Sequence, residues 1–143
     1  MSAAATATKT AAGNQTAKQM AFADLERELA ITRKVLERIP QEHFAWKPHE
    51  KSMALGRLAM HVATMPQWML STLEKDELDM ANPPKIKTEP ESQADLLKIF
   101  DEHAAAVRQA MDRIDDAGLE RPWSLKQGQQ VLHSKSKAQI LRV

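Results

Sequence analysis

Histidine is the residue type with which this sequence could most readily bind a metal, since the chain has five histidines and no cysteine. His61 stands out because it lies between Leu58 and Met65, on the flank of an apolar stripe with helical spacing. The spacing predicts that its imidazole points toward the interior of a helix bundle, whereas Arg57 lies away from that edge. Such an imidazole can bind a divalent metal, although a packed histidine is the commoner explanation of the position.

The remaining histidines give weaker indications of a metal site. His103 lies on the flank of a later apolar stripe, between Phe100 and Val107, so two flanking histidines on neighbouring helices could face each other. Without a third ligand, one packed and one solvent-exposed histidine is the simpler interpretation. His43 and His49 belong to a connecting segment, where we expect them to face solvent or to form hydrogen bonds with the backbone.

Two long helices are predicted to come first in the chain. The first covers residues 18–39 and stops at Pro40, which cannot continue it. The second belongs to residues 52–78, with Ser52 capping its first turn and a kink expected at Pro66. Its predicted core stripe consists of Leu55, Leu58, Val62, Met65, Met69 and Leu73.

A third helix is predicted after a proline-rich crossing over residues 82–92. Ser92 and Asp95 form a capping box at its start, and the helix is expected to run to about Asp115, with Gly118 ending the helical region. Its stripe consists of Leu96, Phe100, Val107, Met111 and Ile114.

The last segment is predicted to be less regular. We expect a loop that holds Trp123, followed by a helix start near Ser134 or Ser136 and about two helical turns to Val143.

Composition limits the class of protein. The chain has 143 residues, 43% hydrophobic and 27% charged, which suits one folded domain and excludes a wholly disordered chain. A formal charge of +1 gives no support for a nucleic-acid partner, and no membrane association is expected. The Ala/Thr-rich residues 1–18 lack the apolar run of a signal peptide, so they are predicted to be a disordered tail on a cytoplasmic protein. The folded domain is expected over residues 19–143.

The block WKPHEKSMALGRLAMHVATMPQW over residues 46–68, together with the later pieces PWSL and QILR, resembles the DinB family. This resemblance implies an all-α, up-and-down four-helix bundle. It also implies a metal-dependent enzyme of the kind that transfers low-molecular-weight thiols or acts as a hydrolase, with nickel or zinc as the divalent metal. The family site contains three histidines, of which His61 matches the one on the second helix, while the other two form a His-x-x-x-His pair on the fourth helix.

The sequence departs from this family pattern at its C-terminal end. The chain stops at Val143 before a His-x-x-x-His pair arrives, and His133 is followed four residues later by Lys137. We therefore expect a four-helix bundle whose fourth helix is largely missing, with an incomplete metal site. We expect one of three outcomes: the C-terminal stub and Trp46, Trp68 and Trp123 partly close the core, a second chain fills the exposed groove, or the protein is poorly stable.

Three functions follow as alternatives: a metal-dependent transferase or hydrolase, a non-catalytic helical interaction or self-association module, and an inactive truncated product. Under the first alternative the substrate is an unidentified small molecule, and under the second the protein is a homodimer. The residues expected to line a pocket beside His61 are Trp68, Thr72, Met65 and His103.

Overall fold

The computed structural model describes residues 16–142, and helices dominate this part of the chain. The elements are α1 (Ala17–Ala21), α2 (Leu25–Glu37), α3 (Leu55–Glu74), β1 (Glu77–Asp79), α4 (Gln93–Arg113), α5 (Asp116–Glu120), β2 (Pro122–Gln127), β3 (Gln130–Ser136) and α6 (Lys137–Ile140). The prediction of an all-α fold is confirmed in part, since helices dominate but a small three-stranded sheet is also present. In residues 16–142 the long helices are α2, α3 and α4, and a four-helix bundle is not confirmed.

The predicted first helix is two helices. A turn over residues 22–24 separates α1 from α2, and Phe22 within it is buried against Val107 and Leu119. The break lets α1 turn toward α5, where the Lys18 amide donates to Asp116 at 2.9 Å. The predicted tail lies mostly in residues 1–15, outside the described residues.

Backbone groups, rather than a side chain, cap the start of α3. Ser52 was predicted to be the cap, but the helix begins at Leu55, and its first two amides donate to the Trp46 and Phe44 carbonyls at 2.9 Å each. The loop can approach so closely because residue 56 is glycine: a Cβ there would lie 2.8 Å from the Phe44 Cβ. The helix continues through Pro66 and ends at Glu74, four residues before the predicted end.

Helix α4 is the centre of the packing. Its predicted start is confirmed, since the Ser92 hydroxyl accepts from the Asp95 amide at 3.0 Å. The helix packs along both α2 and α3, whereas α2 and α3 contact each other little. The main core consists of Leu29, Leu36, Ala59, Met60, Ala63, Leu96, Phe100 and Ala104. Because α2 and α3 each pack on α4 more than on each other, a groove remains between α2 and α3.

The segment after α4 contains elements that the sequence pattern did not predict. Gly118 lies inside α5, whose first turn is capped by Asp115, instead of ending a helix. Strand β2 pairs in parallel with β1 and in antiparallel with β3, and Gly128 has a φ of 59° in the turn between β2 and β3. The predicted helix start at Ser136 is confirmed, with a capping box to Gln139.

Lys137 fastens α6 to the end of α3. Its side chain is 96% buried, and its ammonium donates to the Leu73 carbonyl at 3.1 Å and to Asp76 at 3.0 Å. A cation at this place complements the negative end of the α3 dipole. Asp76 also forms an ion pair with Arg121. The hydrogen bond from Lys137 is the main cause that holds the pKa of Asp76 below its ordinary value, and the charge of Arg121 contributes less.

Within residues 16–142, no helix is both long enough and apolar enough to cross a membrane.

Candidate functional site

An apolar opening lies between α2 and α3, and we call it the groove cavity. It has a volume of about 470 Å³, and Phe100 of α4 lies among the side chains that bound it. Residues from the C-terminal part of the chain close the end where α2 begins and α3 ends. The lining residues are Leu25, Glu28, Leu29, Thr32, Val62, Met65, Pro66, Trp68, Met69, Thr72, Phe100, Trp123, Ile140 and Leu141.

The groove exists because α3 uses its small side chains to pack on α4. Ala59 and Ala63 are almost completely buried there. The predicted core stripe of larger residues is therefore wrong for two of its members, since Leu58 and Met65 are 48% and 50% exposed. Small residues allow two helices to approach closely, so Ala59 and Ala63 form the α4 face together with the fully buried Met60. Three of the larger stripe residues, Val62, Met65 and Met69, line the groove instead.

Few polar groups reach the groove cavity. The buried Thr72 hydroxyl donates to the Trp68 carbonyl at 3.1 Å, so only its oxygen lone pairs remain to accept from a ligand. Glu28 and Thr32 lie on the α2 side. Trp123 is 94% buried, and its Nε1 atom has no hydrogen-bond partner among the described residues.

The structure brings together three of the four residues that were expected to line a pocket. Trp68, Thr72 and Met65 all line the groove cavity. His103 does not: it lies half-buried on α4, outside the linings of both cavities described here, and its Nδ1 atom has no hydrogen-bond partner in residues 16–142. The α2 residues of the groove were missed, although their four- and three-residue spacing was visible in the sequence.

His61 does not point into the bundle interior as predicted. It is exposed and lines a second, smaller cavity of about 180 Å³, which we call the crossing cavity because residues 86–88 of the proline-rich crossing form its other wall. Arg57 was predicted to lie away from His61 but lines the same cavity, as their four-residue spacing could have indicated. Trp68 lines both cavities and stands between them.

Lys87 also lines the crossing cavity, but its charge is already compensated. Its ammonium donates to Glu91 at 3.0 Å and to Asp95 at 2.8 Å. The hydrogen bond from Lys87 to Asp95, together with one from the Glu91 amide, holds the pKa of Asp95 below its ordinary value. No carboxylate in the described part of the chain forms an ion pair with Arg57, so Arg57 supplies the uncompensated positive charge of this cavity.

The donor groups that the structure describes do not fit the three-histidine metal site implied by the family resemblance. Among residues 16–142 there is no group of three His, Cys, Asp or Glu side chains that could hold one ion. His61 and His103 do not share a cavity. The His49 imidazole instead accepts from the Lys51 amide at 3.1 Å, which is a backbone contact of the kind predicted for it.

The sequence matches the family model of the DinB superfamily over residues 24–134. The match spans α2, α3, α4 and nearly all of the β2–β3 hairpin, and it includes every residue of the crossing cavity. Comparisons with curated proteins and with solved structures gave no match.

Proposed function

Because this chain belongs to the DinB superfamily and the family match includes both helical walls of the groove, we propose that the groove cavity is its functional site and binds a small, mostly apolar molecule. The observation that supports this proposal is the cavity itself. Its volume of about 470 Å³ is within the range of small-molecule sites, which form between the helices of bundles and are lined mainly by apolar side chains.

The types of side chain in the cavity suit this kind of ligand. Trp68 and Trp123 offer large apolar surfaces for a ring or an alkyl chain, and Met65 and Met69 can adapt to irregular shapes. Thr72 can orient a ligand only by accepting a hydrogen bond, because its proton is engaged with the α3 backbone. The cavity therefore favours a ligand with an apolar body and few polar groups.

A neutral fluorescent dye, N-phenyl-1-naphthylamine, tests this proposal because its emission rises in apolar surroundings. We expect saturable binding to the unmodified protein. Thr32→Trp fills the α2 side of the cavity and should weaken binding about tenfold. Lys34→Trp is the matched control, since Lys34 is exposed on α2 and does not line the cavity. Absence of saturable binding, or equal effects of the two variants, would contradict the proposal.

A metal-dependent transferase or hydrolase reaction is the finer activity that membership of the family suggests, with nickel or zinc bound at His61. Residues 16–142 contain no group of three His, Cys, Asp or Glu side chains that could hold an ion, so family membership is what supports this activity. Elemental analysis of dialysed protein distinguishes the metal-dependent enzyme from a protein that binds its ligand without a metal. Stoichiometric nickel or zinc that disappears in His61→Ala would favour the metal enzyme.

Self-association is a second candidate, favoured by the apolar side chains beside the groove. Ile31 and Val35 on α2 are 50% and 54% exposed, and Leu58 and Met65 are exposed to a similar degree on α3. A second copy that packs the same face against them would form a symmetric dimer.

Sedimentation equilibrium tests self-association with a matched pair of variants. Leu58→Gln places a polar group beside the groove, whereas Leu132→Gln does so on β3, where the leucine is 49% exposed. If the protein self-associates through this face, the unmodified protein and Leu132→Gln should be dimers, and Leu58→Gln should shift toward monomer. A strictly monomeric unmodified protein would exclude this candidate.

A further inference from the structure

The crossing cavity offers a charged site beside the apolar groove. Arg57 and His61 lie one turn apart on α3 and both line this cavity. Arg57 has no carboxylate partner among the described residues, and neither ring nitrogen of His61 forms a hydrogen bond within them. Both side chains can therefore donate hydrogen bonds to an anion, Arg57 through its guanidinium and His61 through a ring N–H.

The other polar groups of the crossing cavity are already engaged. The Thr64 hydroxyl donates to the Met60 and His61 carbonyls, at 3.0 and 3.1 Å, and the Lys87 ammonium is held by two carboxylates. An incoming anion would therefore meet Arg57 first, with His61 beside it. Arg57 and His61 are thus the basic side chains lining this cavity whose donors are not engaged within the described residues.

The two cavities adjoin through Trp68, which lines both. Met65 of the groove cavity follows His61 by four residues, so their Cβ atoms are roughly 6 Å apart on the same side of α3. A molecule with a charged end in the crossing cavity and an apolar chain in the groove cavity would lie along this side of α3, against Trp68.

We propose that the ligand of this protein is an apolar carboxylate, whose negative end is bound by Arg57 and His61 in the crossing cavity and whose apolar chain lies in the groove cavity. The proposal rests on the proposed function of the groove and adds the chemical class of its ligand. A carboxylate matches the planar guanidinium of Arg57 with two parallel hydrogen bonds.

Competition between two probes tests the carboxylate separately from the groove. Decanoate and 1-decanol have apolar chains of the same length but differ in charge, and each is titrated against bound N-phenyl-1-naphthylamine. We expect both to displace the dye from the unmodified protein. Arg57→Met should weaken displacement by decanoate about tenfold and leave that by decanol within about twofold.

Lys75→Met is the matched control for lost positive charge. Lys75 is exposed at the far end of α3 and forms no ion pair in the described part of the chain, so its removal should change neither titration. His61→Gln should weaken decanoate in the same direction as Arg57→Met, by about threefold. Circular dichroism and thermal unfolding confirm that each variant is folded.

The outcomes separate failure of this inference from failure of the proposed function. If both probes displace the dye and Arg57→Met changes neither, the carboxylate site is wrong and the groove remains. If Arg57→Met weakens both probes equally in a folded protein, Arg57 shapes the groove without binding the anion, and the inference is again wrong. If the unmodified protein binds no dye and no decanoate, both proposals fall.

Discussion

The two faces of α3 differ in how completely their apolar side chains are buried. Toward α4 the helix presents Ala59, Met60 and Ala63, all of them buried. Toward the groove it presents Val62, Met65 and Met69, and Met65 is 50% exposed; Leu58, 48% exposed, lies one turn before Val62 on the same side. The α4 face is thus enclosed whatever the size of its side chains, whereas apolar side chains on the groove side remain accessible.

This difference separates stability from function within one helix. Close approach of α3 and α4 removes backbone and small side chains from water and leaves little freedom for substitution. The groove face keeps apolar surface available to a ligand or a second copy. We therefore expect substitutions on the α4 face to change the free energy of unfolding and those on the groove face to change binding.

The strongest test of this contrast removes a large side chain from each face. Met60 is fully buried, so Met60→Ala should lower the free energy of unfolding by about 3 kcal/mol through lost contacts and a cavity. Leu58→Ala should lower it by only about 0.5 kcal/mol, because Leu58 is half exposed. Urea unfolding followed by circular dichroism measures both. Equal losses would show that the groove face is packed as tightly as the α4 face.

The opposite change, adding volume, should give a smaller but still clear difference. Ala63 is completely buried between α3 and α4, so Ala63→Leu should force the helices apart and cost about 2 kcal/mol. Met65→Phe adds volume on the open face, where Met65 is 50% exposed, and should cost less than about 0.5 kcal/mol. The same urea titrations apply. A neutral Ala63→Leu would mean that the α4 face has room that the packing does not suggest.

Sequence periodicity predicted the existence of α3 but not which side of it faces the core. The stripe through Leu58, Val62 and Met65 is genuine, yet apolar residues at helical spacing mark both a core and an open groove. What decides between them is the partner helix, which the spacing of one segment does not contain. Gly56, Ala59 and Ala63 gave the missing signal, since small residues at this spacing allow close helix packing.

The start of α4 was predictable because Ser92 and Asp95 form a local capping interaction. The sheet was not, because β1 is only three residues long and pairs with a strand more than forty residues later. Gly128 was the local signal for the β2–β3 turn. For the candidate site, Trp68, Thr72 and Met65 were predicted to line a pocket; all three line the groove cavity, and Trp68 alone of them also lines the cavity of His61. The position of His61 was not predicted correctly. Its cavity is formed with residues 86–88 of the crossing, which have no regular sequence pattern.

The smallest expected effect concerns the end of α3 that both faces share. Asp76 pairs there with buried Lys137 and with Arg121, and its pKa is lowered, so the folded state prefers the ionised carboxylate. This contribution is fully present above the ordinary aspartate pKa of 3.8 and is lost as pH falls through the lower value of the folded state.

Asp76→Asn should therefore lower the Tm by about 2 °C at neutral pH, and the difference from the unmodified protein should narrow as the solution is acidified below pH 3.8. Asp112→Asn is the matched control, because Asp112 is exposed on α4 and forms no ion pair within residues 16–142. Thermal unfolding across the acid range gives the measurement. A Tm difference that stayed constant with pH would mean that Asp76 holds α6 against α3 through its shape and hydrogen bonds alone, and that its charge adds nothing to this end of the helix.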